Sequence, residues 1–387
     1  MKSKLSYLPT IAIGAISVMV GFVSSVAILF QAAQAAGANS EQTSSWIFAV
    51  CLGAGLISIG FSLYYKMPIL AAWSTPGSAL LITSLVNVPM SDTIGAFIFS
   101  GLLMFIAGAT GWFEKALRRI PVALASAMLA GILVRFGLDV FVSMKTQPAL
   151  VLIMLAVYFI GKRFVPRYAV ILVALVGTWM SVMQGQLQTA SMKFEFAHPI
   201  WVMPTFSWSV IVGVGIPLFV VTMASQNLPG VAVLRNAGYH PPISKIITGT
   251  GLVTMLLAPF GAFAVNLAAI TAAMCSGPEA HAESSKRYIA STSAGVVYVV
   301  VALLSSAIIA VLTALPKELV WSLAGIALFT TIANSLLSAV REDSSREAAV
   351  ITFLVTASGV SLLGIGAPFW GLVAGIIALL AMRPRTA

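Results

Sequence analysis

Two unusually short apolar segments, placed alike in the two halves of the chain, constrain its fold more than any other feature. Pro68–Val86 reads PILAAWSTPGSALLITSLV, and Phe260–Cys275 reads FGAFAVNLAAITAAMC. Each mixes Gly and Ala with hydroxyl or amide side chains and reads as an extended stretch that turns into a half-helix. Within a bilayer, irregular backbone persists only where protein buries it or where it lines a polar cavity. Two such segments in corresponding places mark the binding site of an inverted-repeat transporter.

Composition supplies the membrane. Only 8% of the 387 residues are charged and 59% are hydrophobic, against about 25% charged in a soluble domain. The apolar runs are long and continuous, without the alternation of a β-barrel. Runs of this length predict an all-α polytopic membrane protein with fourteen membrane segments, the two short ones being the third and the tenth. The longest external loop, Gln184–Ser207, divides them seven and seven. An odd number of spans per half inverts the second half relative to the first, which makes the third and tenth segments equivalent.

Charge supports this count. With the N-terminus inside, only Lys145, Lys193 and Lys317 of the 21 Lys and Arg residues fall in external loops, and Arg135 lies within a span. The positive-inside rule therefore places both termini in the cytoplasm. The net charge of +10 is spread over short loops and explains topology rather than a nucleic-acid partner. The N-terminal run Leu8–Phe30 is longer than the apolar region of a signal peptide and reads as a retained first span. Cys51 and Cys275 read as buried thiols, and His198, His240 and His281 show no metal-ligand spacing. No metal, cofactor or catalytic motif is indicated, so the chain reads as a non-enzyme.

The candidate site is built from helix starts inside the membrane. Ser74, Thr75 and Gly77 form a capped start, with Pro76 at a favoured first-turn position. Asn266, flanked by Val265 and Leu267, is expected to cap the tenth segment in the same way. Such starts leave N–H donors and a partial positive charge facing the core, which suits a carboxylate; close helix packing is the alternative role of the small residues. In the eighth segment Ser225, Gln226 and Asn227 are expensive in lipid unless partnered, as a pocket wall or as interhelical hydrogen-bond glue. Gln31 and Gln34 are weaker candidates near the external surface. Ala71, Ala264 and Ala268 add only small apolar side chains around these starts. Three groups are candidates for proton coupling: Asp139, which can alternatively pair with Arg135 at i, i+4, and the cytoplasmic Glu279 and His281.

The stretches PILAAWSTPGSALL, VTMASQNLPGVAVL, AAITAAMCSGPEAH and LVTASGVSLLGIGAPFWGL closely resemble the benzoate:proton symporter (BenE-type) family, nearly end to end. The resemblance implies a multi-pass protein of the bacterial inner membrane that imports an aromatic carboxylate, benzoate foremost, with a proton. More distantly the layout resembles uracil permease and the sulfate-type anion transporters. That likeness implies a core domain of residues 1–120 and 208–314 and a gate domain of residues 121–207 and 315–387. It also implies alternating access, and it leaves a homodimer through the gate open. Nucleobase permeases carry an acidic residue in the eighth segment, where this chain has Ser225-Gln226-Asn227. A carrier or channel for another small anion or a nucleobase is the alternative reading.

Overall fold

A computed structural model of the protein describes residues 7–112, 122–186, 196–278, 280–360, 362 and 367–382. Its first half contains α1 (Leu8–Ala35), α2 (Ser40–Tyr65), β1 (Ala71–Trp73), α3 (Thr75–Ser84), α4 (Met90–Ala109), α5 (Val122–Ser143), α6 (Pro148–Phe164) and α7 (Ala169–Met183). The second half contains α8 (Trp208–Arg235), then α9 (Ile243–Leu257), β2 (Val265–Leu267), α10 (Ile270–Ser276), α11 (Tyr288–Leu303), α12 (Ser305–Ala314), α13 (Lys317–Val340), α14 (Arg346–Ala357) and α15 (Ala367–Ala381). Counting β1–α3, β2–α10 and α11–α12 as one segment each gives fourteen membrane segments in a seven-plus-seven inverted repeat.

Two segments are less regular than their hydropathy suggests. The eleventh is bent by 66° between α11 and α12. The bend falls at Ser305-Ser306, whose hydroxyls both meet Ser44 Oγ at 2.9 Å, with Ser306 also donating to the Phe196 carbonyl. Paired serines that bond outside the helix are a recognised cause of kinks. The eighth contains two π-helical turns, Ile211–Gly215 and Met223–Asn227. Each is followed by a proline, Pro217 or Pro229, which cannot donate the normal bond to the fourth residue back. The ladder slips by one residue there: Ile216 N–H donates to the Ile211 carbonyl and Leu228 N–H to the Met223 carbonyl. The second wide turn coincides with Ser225-Gln226-Asn227 and rotates those side chains relative to a regular helix.

At the centre, β1 and β2 pair antiparallel, with Ala71 opposite Leu267, Ala72 opposite Asn266 and Trp73 opposite Val265. The pairing continues beyond the strands, from Ser74 N–H to the Ala264 carbonyl (3.1 Å) and from Ala268 N–H to the Leu70 carbonyl (2.9 Å). A two-stranded sheet has two open edges, and within a membrane no water can satisfy them. Neighbouring helices do so instead. From α2, Ser58 Oγ accepts from Ala71 N–H (2.9 Å) and Ser62 Oγ donates to the Ile69 carbonyl (2.8 Å). From α9, Thr254 Oγ1 accepts from Val265 N–H (3.1 Å), and from α8, Asn227 Oδ1 accepts from Leu267 N–H (3.0 Å). Ser58 and Thr254 lie on the second and ninth segments, which the inversion relates. Both therefore do the same work in the two repeats.

The approach to β2 is tight. Gly261 adopts φ +99°, and a Cβ there would sit 1.9 Å from Cδ1 of Trp46. Trp46 is itself buried against Phe97 and Phe263, with ring centroids 5.2 Å and 5.9 Å away. Outside this centre, α5 packs most extensively on α13, α14 joins α15 and α5, and α6 joins α7. Meanwhile α9 packs on α4, and α11 on α1 and α2.

Two substitutions test this frame. Gly261→Ala combines an unfavourable left-handed backbone with a clash against an indole, and is expected to destabilise by about 2 kcal/mol or more. Asn227→Ala leaves a buried N–H without an acceptor, at a cost of about 1–3 kcal/mol. Both should lower the thermal unfolding midpoint of the detergent-purified protein; an unchanged midpoint for Asn227→Ala would show that Leu267 N–H finds another acceptor.

Candidate functional site

A cavity of about 130 Å³ lies beside the strand crossing. Ala72 and Trp73 of β1, Thr75 and Pro76 at the start of α3, and Ala268, Ala269 and Thr271 around the start of α10 form its floor. Gln226 of α8 enters from one side, Ser24 and Ser25 of α1 from another, and Tyr298 of α11 closes a third. Leu328 and Thr331 of α13 complete the wall.

Its polar groups are few and mostly free to meet a ligand. At the start of α3, Ser74 Oγ accepts from Gly77 N–H (3.0 Å) and proline has no N–H, which leaves Thr75 N–H as the open donor of the first turn. The half-buried Gln226 amide has no hydrogen-bond partner among the described residues. Trp73 Nε1 is likewise buried without an acceptor. The Ser24 and Ser25 hydroxyls donate to the Gly21 carbonyl at 2.9 Å and 2.7 Å, so their oxygens remain as acceptors. Apart from the Thr75, Thr271 and Thr331 side chains, the rest is apolar and aromatic. Trp73 meets Tyr298 edge to face at 6.1 Å and Phe22 at 5.7 Å, the geometry favoured by ring quadrupoles.

Of the nine residues expected at the substrate, the cavity brings together Thr75 and Gln226. The others form the frame behind it. Ser74 is fully buried as the helix cap, and Gly77 packs under Leu218, which a Cβ would approach to 2.8 Å. Val265 and Leu267 are strand residues without exposure. Ser225 donates back to the Val221 carbonyl (2.5 Å), and Asn227 is fully buried on β2, its Nδ2 meeting Met223 Sδ at 3.1 Å. Asn266 does not cap the tenth segment. It sits mid-strand opposite Ala72, and its Nδ2 donates to the Ala264 carbonyl (2.8 Å). The helix begins at Ile270 behind Ala269, with no side-chain cap, because the ladder claims the backbone as far as Ala268. Ala268 lines the cavity, whereas Ala71 and Ala264 are buried beneath it. Ala264 takes φ +44°, in the left-handed region that L residues seldom occupy, and its carbonyl serves both Ser74 and Asn266.

The ionisable candidates lie elsewhere. Asp139 and Arg135 face a second cavity of about 440 Å³ together with Gln31 and Gln34, and no salt bridge joins the two among the described residues. Glu279 lies outside the described residues. His281 sits in the loop after α10, where Nδ1 accepts from Glu283 N–H (3.0 Å) and the ring stacks on Tyr7 at 6.1 Å. Arg287 pins that loop through the Ser276 and His281 carbonyls, and a hydrogen bond from Lys286 holds the Glu283 carboxyl below its ordinary range.

Comparison with known proteins agrees with this architecture. The family model described as benzoate membrane transport protein matches residues 5–381. The chain is 44% identical to "Inner membrane protein YdcO" of Escherichia coli, over 97% of this chain and 98% of that one. It is 38% identical to "Benzoate membrane transport protein" of Acinetobacter baylyi, over 100% of this chain and 98% of that one. Among solved structures, the transmembrane domain of the cyanobacterial bicarbonate transporter BicA superposes with TM-score 0.64 at 13% identity, covering 95% of this chain and 97% of that one. The murine anion transporter Slc26a9 in its inward-facing state gives TM-score 0.60 at 14% identity, covering 97% and 70%. These two share the fold. The full-length family match and the two close relatives establish that the chain belongs to the benzoate membrane transport protein family, whose members are membrane transporters and not enzymes.

Proposed function

We propose that the protein imports an aromatic carboxylate, benzoate foremost, together with a proton, by alternating access across the bacterial inner membrane with both termini cytoplasmic. The carrying observation is the cavity at the strand crossing. It offers an aromatic wall, Trp73 and Tyr298, for a flat ring. The same cavity carries donors suited to a carboxylate: Thr75 N–H at a helix start, the Gln226 amide and the Trp73 indole N–H. The naming of the Acinetobacter relative for benzoate supports the same ligand.

Residues 1–120 and 208–314 form the core in this reading, and residues 121–207 and 315–387 the gate. Of the described residues that line the cavity, only Ala327, Leu328 and Thr331, all on α13, come from the gate. Displacement of α13 relative to α1 and α11 would therefore open the site to either side. Of the two described candidates for proton coupling, Asp139 faces a cavity between spans and His281 is held in a loop. Asp139 is the proton carrier of this proposal. A proton cancels the charge of one carboxylate, so the pair crosses without net charge.

Proteoliposomes test the proposal directly. Saturable uptake of radiolabelled benzoate that rises with an inward proton gradient and collapses with a protonophore is expected; uptake equal to that of protein-free liposomes would refute the substrate. Gln226→Ala should weaken apparent affinity about 10- to 100-fold, from loss of a hydrogen bond to a charged group worth about 1.5–3 kcal/mol. Asp139→Asn should bind benzoate yet lose gradient-driven accumulation, and accumulation at the parental level would remove Asp139 from the mechanism.

A further inference from the structure

Arg135 is the one basic residue placed inside a predicted span. A guanidinium within a membrane is costly unless it is partnered or faces water, and by default it marks function. Arg135 stands in the wall shared by two cavities, of about 440 Å³ and 360 Å³. Among the described residues no carboxylate lies within salt-bridge distance of it. Asp139, one turn away, is the only other ionisable side chain among the described residues that line either cavity.

A second group there also lacks its partner. Nε2 of Gln31 is buried with no acceptor, although the residue lines the larger cavity. Both unmatched groups are donors, so the missing partner is an acceptor, and the guanidinium makes an anion the best one. Two aromatic rings line the same cavity beside Ile82 and Val86: Phe136 and Trp321, the latter 46% exposed. A guanidinium and an amide beside two aromatic rings match the two ends of an aromatic carboxylate.

Its position relative to the inner cavity is fixed by two antiparallel helices. On α1, Ser24 lines the inner cavity and Gln31 the outer; on α13, Leu328 lines the inner and Trp321 the outer. Seven residues of helix separate the levels, about 10 Å. Ile28 and Ala324 are buried between them in one apolar cluster.

We propose that the cavity around Arg135 is a second carboxylate site, a waiting position in which the substrate is held before the apolar layer at Ile28 admits it to the inner cavity. Arg135 and Gln31 bind the carboxylate, and Trp321 and Phe136 bind the ring. Asp139 competes for the same guanidinium and limits affinity, as a waiting position requires. The proposal rests on the aromatic-carboxylate reading given above.

The test is a benzoate titration of the purified full chain by tryptophan fluorescence. The Trp321 contribution is isolated as the difference between the parent and Trp321→Phe. A saturable Trp321 signal is expected, with its midpoint raised at least tenfold in Arg135→Gln, partly recovered in Arg135→Lys, and raised in Gln31→Leu. The Gln31 variant decides the matter if Arg135→Gln does not fold, as judged by its melting curve. Absence of a Trp321 signal in the parent, or a midpoint untouched by the substitutions, overturns the outer site. Parental uptake of benzoate is measured in parallel. Uptake without a Trp321 signal removes the outer site alone, and a Trp321 signal without uptake removes the transport reading while leaving the outer site standing.

Discussion

The structure depends on satisfying the backbone of six residues. Strands β1 and β2 place extended chain in the middle of a membrane protein, where each unpaired N–H or carbonyl costs several kcal/mol. Pairing the strands with each other settles their facing edges. The outer edges are settled by Ser58, Ser62, Thr254 and Asn227, all fully buried. Much of the buried polarity of this apolar chain is thus structural. It holds in place a crossing that leaves two half-helices starting in the interior, and the cavity lies beside those starts.

In the proposed reading, this division between frame and lining lets so polar a neighbourhood be selective. Asn227 has its oxygen and nitrogen occupied within the protein. Gln226, the preceding residue, has neither occupied among the described residues. The π turn of α8 separates the two roles by altering the angle between neighbouring side chains. Aromatic surface supplies the rest of the contact area, and the few free donors fix orientation, which is the usual economy of small-molecule sites.

Much of this was legible in the residues. The two short segments, their equivalence and the Ser74 cap all follow from patterns that physics ties to one structure: Ser-Thr-Pro-Gly before an apolar run starts a helix. Asn266 shows where pattern fails. An amide ahead of Leu-Ala-Ala-Ile reads equally as a cap or as a strand residue, and only the partner strand, nearly two hundred residues away, decides. Tyr298 went unnoticed within the run Val-Val-Tyr-Val-Val, although a phenol among valines in a span is itself a signal of a polar need. The roles of Asn227 and Ser225 could not be separated, because hydrogen-bond direction depends on tertiary neighbours. The Arg135–Asp139 spacing permits a pair, but no salt bridge joins the two among the described residues, and both line the cavity beside them.

The inversion that relates the two halves is kept by the backbone and broken by the side chains at the crossing. Strand opposes strand in strict register, yet α3 begins with a serine cap and a proline while α10 begins bare at Ala269. Trp73 occupies a strand position whose partner is Val265. A pocket obeying the two-fold symmetry would accept a flat, polar-ended molecule equally well in either of two directions. Here the indole is on one strand only, and α3 is capped and carries a proline whereas α10 leaves its first-turn N–H groups without a side-chain cap, so the pocket has a head and a tail. In the proposed reading this asymmetry sets which way round the ligand sits, independently of the side from which the molecule arrives.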